Sequence, residues 1–254
     1  MQELFVIENL CMAFGEKEVL KDIDLVIQRG EIFALIGPSG AGKTTLLRIL
    51  NLFEKPTGGS LVFEGIRLNG AYNEKKTPKT PYLNTGNVRR KMSLLFQTPA
   101  VFNTSVFDNV AYGLRVRGID KRIIEKKVSG ALNIVGLPGM EKQKARTLSA
   151  GEAQRMAFAR AMVYDPEVLL LDEPTANLDP ANVAKIEEII KRIRSERGTT
   201  IVIATHNIPQ VKRIADRVGI LLNGELIEVN TKEGIFTEPK DERSAAFLKG
   251  EMIY

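Results

Sequence analysis

Residues 37–44 read GPSGAGKT, and they decide the fold. The run EIFALI just before them predicts a strand that is covered on both faces, and a helical pattern begins near Thr44. A glycine-rich turn between a strand and a helix lets backbone N–H groups curl around phosphates. The stretch therefore predicts a phosphate-binding loop, which is made of Gly37, Pro38, Ser39, Gly40, Ala41, Gly42, Lys43 and Thr44.

Two side chains of this loop carry chemistry of their own. Lys43 is expected to reach the β and γ phosphates of a nucleotide, and the Thr44 hydroxyl is expected to bind Mg²⁺. An accidental glycine-rich turn is the alternative, but it does not explain why the strand and the helix lie on the correct sides. The loop therefore predicts a nucleoside triphosphate site with Mg²⁺.

Outward from the loop, strands alternate with helices, which predicts an α/β fold with a mostly parallel sheet. ELFVIENL and VLKDIDLVI predict two strands before the loop, and SLVFEGIRL predicts a return to strand after it. The polar, proline-containing segment 70–86 reads as an excursion. Helical spacing dominates 98–166, and its clearest apolar face consists of Ile124, Val128, Leu132 and Val135.

Composition restricts the class of protein. A chain of 254 residues with 44% hydrophobic and 26% charged residues can bury a sizeable core. No apolar run approaches the roughly 20 residues of a membrane span, no signal peptide is evident, and the one cysteine, Cys11, excludes an internal disulfide. The net charge of +5 is spread along the chain, so we expect a solvated surface rather than a nucleic-acid site.

An apolar strand at 167–173, EVLLLDE, ends in two carboxylates. An acidic residue at the carboxyl end of such a strand is where a Mg²⁺ shell needs a charge, and this role falls to Asp172. Glu173 then becomes the candidate general base for an attacking water. Two acidic residues in an ordinary turn before Pro174 are the alternative.

His206 is the single histidine of the chain and follows another apolar run, TTIVIAT. A lone histidine is usually a surface or core residue. Its place at the end of a predicted parallel strand instead favours a hydrogen bond to the γ-phosphate or to the attacking water. Asn207, with Pro209 in the first turn, is expected to cap the next helix.

Two further signals have simple structural readings. Ser149 and Glu152 have the spacing of a capping box at a helix start. Asp179 followed by Pro180 has the pattern of an N-cap with proline at the first helical position. Small residues at 149–151 also let an anion approach the N–H groups of the helix start. These residues therefore form a second candidate phosphate site, and the source of its phosphate is left open at this point.

Together these residues resemble the ATP-binding subunits of ABC transporters, over nearly the whole chain and in the family's order. GPSGAGKTT, which ends at Thr45, looks like the Walker A loop, and VLLLDE looks like Walker B. LSAGE is similar to the LSGGQ signature, ANLD to the D-loop and THN to the H-loop. Gln97 in LLFQTP resembles the Q-loop, and Phe14 falls where the family places an aromatic that stacks on adenine.

The resemblance implies a P-loop NTPase fold of the ABC type, with a RecA-like core, an antiparallel β-subdomain and an inserted helical subdomain. One ATP-binding domain would span 1–254, with its core at about 1–97 and 166–230. The helical subdomain would cover about 98–165, and a short tail 231–254.

The resemblance also supplies an answer for the second anion site, because two such domains face head to tail around ATP and Mg²⁺. It implies that Ser149, Ala150, Gly151, Glu152 and Asp179 act on the nucleotide held by a second copy. It further implies that Lys43, Gln97, Glu173 and His206 are catalytic, and that the Mg²⁺ ligands are Thr44, Gln97 and Asp172. Ala150 and Glu152 depart from the family's usual Gly and Gln, and we expect the sandwich to tolerate both.

The segment after Gln97, FQTPAVFNTSVFDNVAYGLRVRG, is similar to importers of inorganic oxyanions and lies where the family contacts its membrane subunits. The resemblance thus implies permease subunits as partners, a solute-binding protein as an indirect one, and a peripheral place on the cytoplasmic face of the membrane. Tungstate or a related oxyanion is the first expectation for the solute, phosphate is the alternative, and another solute stays open. A soluble ABC ATPase acting on DNA or ribosomes and a small-molecule kinase are the rival classes, and no nucleic-acid partner is expected.

Overall fold

The computed structural model of the protein describes residues 2–69 and 85–251. The strands are β1 (Glu3–Phe14), β2 (Lys17–Gln28), β3 (Ile32–Ile36), β4 (Gly58–Phe63), β5 (Ile66–Asn69), β6 (Met92–Leu95), β7 (Val168–Asp172), β8 (Thr200–Thr205), β9 (Arg217–Leu222) and β10 (Glu225–Thr231). The helices are α1 (Lys43–Leu50), α2 (Thr85–Arg90), α3 (Val106–Val116), α4 (Lys121–Ile134), α5 (Ala150–Met162), α6 (Pro180–Arg197), α7 (Ile208–Ile214), α8 (Lys232–Thr237) and α9 (Glu242–Lys249).

Contacts divide the chain into two units, one made of Met1–Arg90 with Thr200–Tyr254 and the other of Lys91–Thr199. The first unit contains an antiparallel sheet with the strand order β2-β1-β4-β5. In β2 the apolar residues Ile23, Leu25 and Ile27 are buried while Asp22 and Asp24 face outward. This alternation gives the sheet one wet face, as the sequence predicted.

The first unit also holds the parallel strands that position the phosphate loop. β3 pairs in parallel with β8 on one side and with β9 on the other, and β10 extends the sheet as an antiparallel neighbour of β9. All five residues of β3 are buried, which explains its nearly continuous apolar sequence. The loop that begins at Gly37 therefore leaves the middle of a covered sheet.

The second unit combines a parallel pair of strands with four helices. β6 pairs with β7, and α5 packs on β6 as well as on α3 and α4. The predicted apolar face of α4 is confirmed, with Ile124, Val128 and Leu132 buried and Val135 as the C-cap residue. α6 ends at Gly198, whose left-handed φ of 66° stops the helix.

The structure refines several predictions. SLVFEGIRL forms a hairpin of two strands rather than one strand, because Glu64 and Gly65 adopt φ values of 50° and 74° that suit a tight turn. Most of the predicted excursion at 70–86, namely 70–84, lies outside the described residues. Its last two residues begin α2. The helical tail is present as α8 and α9. The finer boundaries of a core and a helical subdomain remain predictions.

Among the described residues, no helix is both long enough and apolar enough to cross a membrane.

Candidate functional site

The phosphate loop connects β3 to α1 and leaves the start of that helix without a side-chain cap. Gly42 is the N-cap residue and has no side chain that could accept a hydrogen bond from the first helical N–H groups. Its φ of 106° lies in a region that residues with a Cβ rarely adopt. The loop thus combines a glycine N-cap with the positive end of the helix dipole, which suits a phosphate.

Lys43 folds back over this loop. Its ammonium donates hydrogen bonds to the carbonyl oxygens of Gly37 and Pro38, at 2.7 and 2.9 Å, and the residue is only 7% exposed. A positive charge is therefore held against the carbonyl oxygens of the first two residues of the loop. Thr44 and Thr45 follow in the first turn of α1, and both are half-buried.

His206 lies at the same edge of the parallel sheet as the phosphate loop. β3 and β8 run side by side with Ile36 opposite Thr205, so the residues that follow these two strands are neighbours. His206 is exposed at this edge, and Asn207 accepts a hydrogen bond from the Gln210 N–H as the N-cap of α7. The structure therefore brings His206 to the loop's edge and confirms the capping role of Asn207.

In the second unit, the predicted Mg²⁺ and general-base residues meet at one end of the β6–β7 pair. Leu95 lies opposite Leu171, so Gln97 and Glu173 each stand two residues beyond a paired position. Asp172 ends β7 and is 6% exposed, whereas Gln97 is exposed. Carboxylate and amide oxygens at one strand edge are ligands that Mg²⁺ accepts.

Glu173 has an unusual backbone conformation. Its φ is 46°, in the left-handed region that costs a residue with a Cβ of the order of 1 kcal/mol. Such strain persists only where the surrounding structure enforces it, and it collects at functional sites. Asn177, in the same loop, also has a positive φ of 61°.

The predicted capping box at the start of α5 is confirmed in both directions. Ser149 Oγ accepts a hydrogen bond from the Glu152 N–H, and Glu152 Oε2 accepts one from the Ser149 N–H. The Ser149 hydroxyl also donates to the same Glu152 oxygen at 2.8 Å. The backbone N–H and then the hydroxyl of Ser149 hold the pKa of Glu152 below its ordinary value. Ala150 is an ordinary helical residue, so it keeps the backbone geometry of the helix start.

Asp179 caps α6 and is exposed. Its carboxylate accepts hydrogen bonds from the Asn182 backbone N–H and from the Asn182 side chain, in that order the main causes of its lowered pKa. The sequence predicted this cap but not the contribution of the Asn182 side chain. The one sequence signal for Asn182 was its position three residues after Asp179. Its other contacts, with Arg155 and Gly151, join segments that are distant in the sequence.

Phe14 ends β1, and its side chain is 50% exposed. It pairs with Lys17 across a tight turn at Gly15 and Glu16. An exposed aromatic ring on a hairpin tip offers a flat surface for stacking. The structure thus leaves the face predicted to meet adenine accessible.

Comparison with known proteins bears on the family of the chain. A family model described as "ABC transporter" matches residues 20–176. The chain is 43% identical over 257 residues to the phosphate import ATP-binding protein PstB 2 of Natronomonas pharaonis, with 98% of this chain and 87% of that protein covered. A probable anion import ATP-binding protein of Haloferax volcanii is 41% identical over 259 residues, covering 97% and 86%.

Two solved structures share the fold. CbiO1 from Clostridium perfringens, part of the ABC transporter complex cbiONQ, superposes with a TM-score of 0.83 at 30% identity and covers 97% of this chain and 96% of that one. The ATP-binding cassette MJ0796, a dimer in a post-hydrolysis state bound to ADP and Pi, has a TM-score of 0.77 at 28% identity and covers 90% and 99%.

Proposed function

The chain belongs to the ABC transporter family and is an ATPase coupled to transport, and from this premise we propose that it drives the import of an inorganic oxyanion. The observation that carries the proposal is the phosphate loop with Lys43 held over it, combined with nearly full-length likeness to phosphate and anion import proteins. ATP is the proposed substrate and Mg²⁺ the proposed cofactor.

Nucleotide binding is assigned to the first unit. The N–H groups of 37–44 receive the phosphates, and Lys43 turns its ammonium from the loop carbonyls to the β and γ oxygens. The exposed ring of Phe14 stacks on the adenine. As Mg²⁺ ligands we propose the hydroxyl of Thr44 from the first unit, and the amide oxygen of Gln97 and the carboxylate of Asp172 from the second. Each of these is an oxygen ligand of a kind that Mg²⁺ accepts. When bound, Mg²⁺ supplies charge that neutralises the phosphate oxygens.

Hydrolysis is assigned to Glu173 and His206. Glu173 accepts a proton from the attacking water, and its left-handed φ sets the direction in which its side chain leaves the backbone. His206, at the edge of the sheet beside the phosphate loop, donates a hydrogen bond to the γ-phosphate or orients the water. Phosphoryl transfer needs positioning and charge more than covalent chemistry, and these residues supply both.

A second copy of the chain completes the proposed site. Ser149, Ala150, Gly151 and Glu152 at the start of α5, with Asp179, act on the nucleotide bound by the other copy. Support comes from the small residues Ala150 and Gly151 in the first turn of α5, which let an anion approach the helix start, and from the dimeric state of the similar cassette that binds ADP and Pi. ATP would then bind the two copies together, because neither copy alone holds all the groups that contact the nucleotide.

The proposed membrane partner meets the surface that follows Gln97. Phe96, Phe102, Tyr112 and Val116 are all exposed there, and the rings of Phe102 and Tyr112 lie 5.0 Å apart. Exposed apolar groups on a water-soluble surface mark an interaction site. We assign this surface to permease subunits, which would hold the chain at the cytoplasmic face of the membrane.

The solute is proposed as a class. The names of the two relatives support inorganic anions, and phosphate, named by one of them, is the first solute to test. Tungstate, the first expectation from sequence, is the second. ATPase activity of the chain with its permease subunits in liposomes, measured with phosphate- and tungstate-loaded binding protein, distinguishes the two.

The catalytic assignment is tested with Glu173→Gln. Loss of a positioned proton acceptor lowers turnover by roughly 10²–10⁴, while ATP still binds and holds the dimer closed. Glu188→Gln, an exposed change on α6, is the matched control and keeps parental turnover. Undiminished hydrolysis by Glu173→Gln would exclude Glu173 as the base.

A further inference from the structure

Asn182 connects two segments that the proposed function assigns to the second copy's nucleotide. Its backbone N–H and its Nδ2 donate to the two carboxylate oxygens of Asp179, at 3.0 and 2.5 Å. On its other side, its Oδ1 accepts a hydrogen bond from Arg155 Nη1 at 2.8 Å. One amide therefore joins the cap of α6 to the first turns of α5.

These contacts leave the Asn182 amide one orientation. An exchange of its oxygen and nitrogen would place an acceptor against the Asp179 carboxylate and a donor against the Arg155 guanidinium. Both contacts would then be repulsive. Arg155 is itself only 8% exposed, so its side chain cannot move to relieve the mismatch without exposing buried surface.

The same amide fills the space beside Gly151. A Cβ built on Gly151 would lie 2.5 Å from Asn182 Cγ and 2.8 Å from Nδ2, closer than such atoms approach one another. Gly151 is buried in the first turn of α5, so the helix cannot shift outward freely. The glycine is thus required by a contact within the chain, independently of any phosphate.

A second hydrogen bond ties α5 to the same segment at its other end. Gln154, 4% exposed, donates from Nε2 to the carbonyl oxygen of Pro174 at 2.8 Å. Pro174 directly follows Glu173. The segment 173–182 is therefore fixed to α5 at both ends.

We propose that Asn182 is a positioning residue that fixes Asp179 and Gly151 in one arrangement, so that both meet the second copy's nucleotide together. This inference rests on the proposed function. It gives Gly151 two separable roles, one toward Asn182 inside the unit and one toward a phosphate outside it. Asn182 acts through Asp179 and the start of α5, and it does not itself touch the nucleotide.

The test compares Asn182→Ala, Gly151→Ala and the double variant in the full chain. Gly151→Ala lowers Tm by roughly 2–12 °C because of the overlap, and it lowers Tm by less than half as much when Asn182→Ala is already present. ATPase activity does not recover in the double variant, because the methyl group still blocks the partner's phosphate. A Gly151→Ala change that leaves Tm at the parental value, or that lowers it equally with Asn182 and with Ala at position 182, would overturn the contact.

Asn182→Ala alone separates positioning from folding. We expect kcat to fall between about tenfold and 100-fold with KM for ATP nearly unchanged, because a small misplacement affects chemistry more than nucleotide binding. In the Glu173→Gln background, the same change weakens ATP-dependent dimerisation in sedimentation velocity. Glu188→Ala on α6 serves as the control and changes neither quantity. Parental kcat together with parental dimerisation refutes the positioning role.

The failure of the proposed function gives a different result. A parent chain that neither hydrolyses ATP nor dimerises with it overturns that function, and the positioning role with it. The effect of Gly151→Ala on Tm, compared with and without Asn182→Ala, still decides whether the contact itself exists.

Discussion

Replacing Arg217 by methionine removes the cation that faces a buried carboxylate in the first unit. Glu31 is 4% exposed, and its two oxygens accept hydrogen bonds from Arg217 Nη1 at 3.1 and 3.3 Å. The same Nη1 donates to the Val26 carbonyl oxygen at 3.0 Å. Glu31 also accepts a hydrogen bond from the Gln28 N–H at 2.7 Å, which the variant keeps.

The magnitude follows from this geometry. Removing one partner of a fully buried ion pair costs about 3–5 kcal/mol. The Arg217 side chain is 25% exposed and Glu31 retains one donor, so we expect a loss of about 2–3 kcal/mol near neutral pH. For a chain of this size that loss lowers Tm by roughly 4–12 °C.

The loss depends on pH with a defined sign. Burial raises the pKa of Glu31 above its ordinary value, against the opposing effects of the Gln28 N–H and of Arg217, while Asp216 raises it slightly. Without Arg217 the pKa rises further. A carboxyl group with a raised folded-state pKa stabilises the fold fully only below its unfolded-state pKa, and this contribution disappears as pH rises through the folded-state pKa. The penalty is therefore expected to be smaller at about pH 5 than at about pH 8.

Thermal unfolding at both pH values measures the effect. Adding Glu31→Gln to Arg217→Met removes the buried charge and restores more than half of the loss at the higher pH. Arg192→Met breaks an exposed pair with Glu196 and should cost only about 0.3–0.5 kcal/mol. An equal loss for Arg217→Met at both pH values would show that packing, and not the charge of Glu31, is responsible.

Two further changes test the binding face and the loop before α3. Phe14→Ala removes the exposed ring and should weaken ATP binding by about 5- to 150-fold in a fluorescence titration with unchanged Tm, whereas equal affinity would exclude stacking by Phe14. Asn109→Ala removes a fully buried amide that bonds Phe102 N–H, Phe102 O, Thr104 and Ser105 O, and should lower stability by about 2–4 kcal/mol in urea unfolding. Asn103→Ala, an exposed change in the same loop, is its control, and equal losses in the two variants would contradict the network.

The elements whose residues are contiguous could be predicted from the sequence. The phosphate loop needs only a strand, a glycine-rich turn and a helix in succession, and residues 31–50 carry all three signals. The capping box at Ser149 and the cap at Asp179 are likewise local, and the structure shows both. Where a side chain bonds residues within four positions, spacing alone identifies the partners.

Longer-range and tightly turned features could not be predicted in the same way. The hairpin at Glu64 and Gly65 was read as one strand, because a two-residue turn barely interrupts the apolar pattern. The role of Asn182 depends on Arg155 and Gly151, which lie 27 and 31 residues earlier in the chain. No periodicity in the sequence predicts such a contact, since it forms only when α6 packs beside the start of α5 in the folded chain.

The hydrogen bond between Ser149 and Glu152 has a fixed polarity. A hydroxyl has one hydrogen to give, and that of Ser149 is directed at Glu152 Oε2. A glutamine could turn either its oxygen or its NH₂ group toward the serine, whereas an ionised glutamate can only accept. Any other acceptor that approaches Ser149 must therefore compete with the Glu152 carboxylate for the same hydrogen. Whether position 152 carries glutamate or glutamine thus sets how readily the Ser149 hydroxyl can donate to a different acceptor.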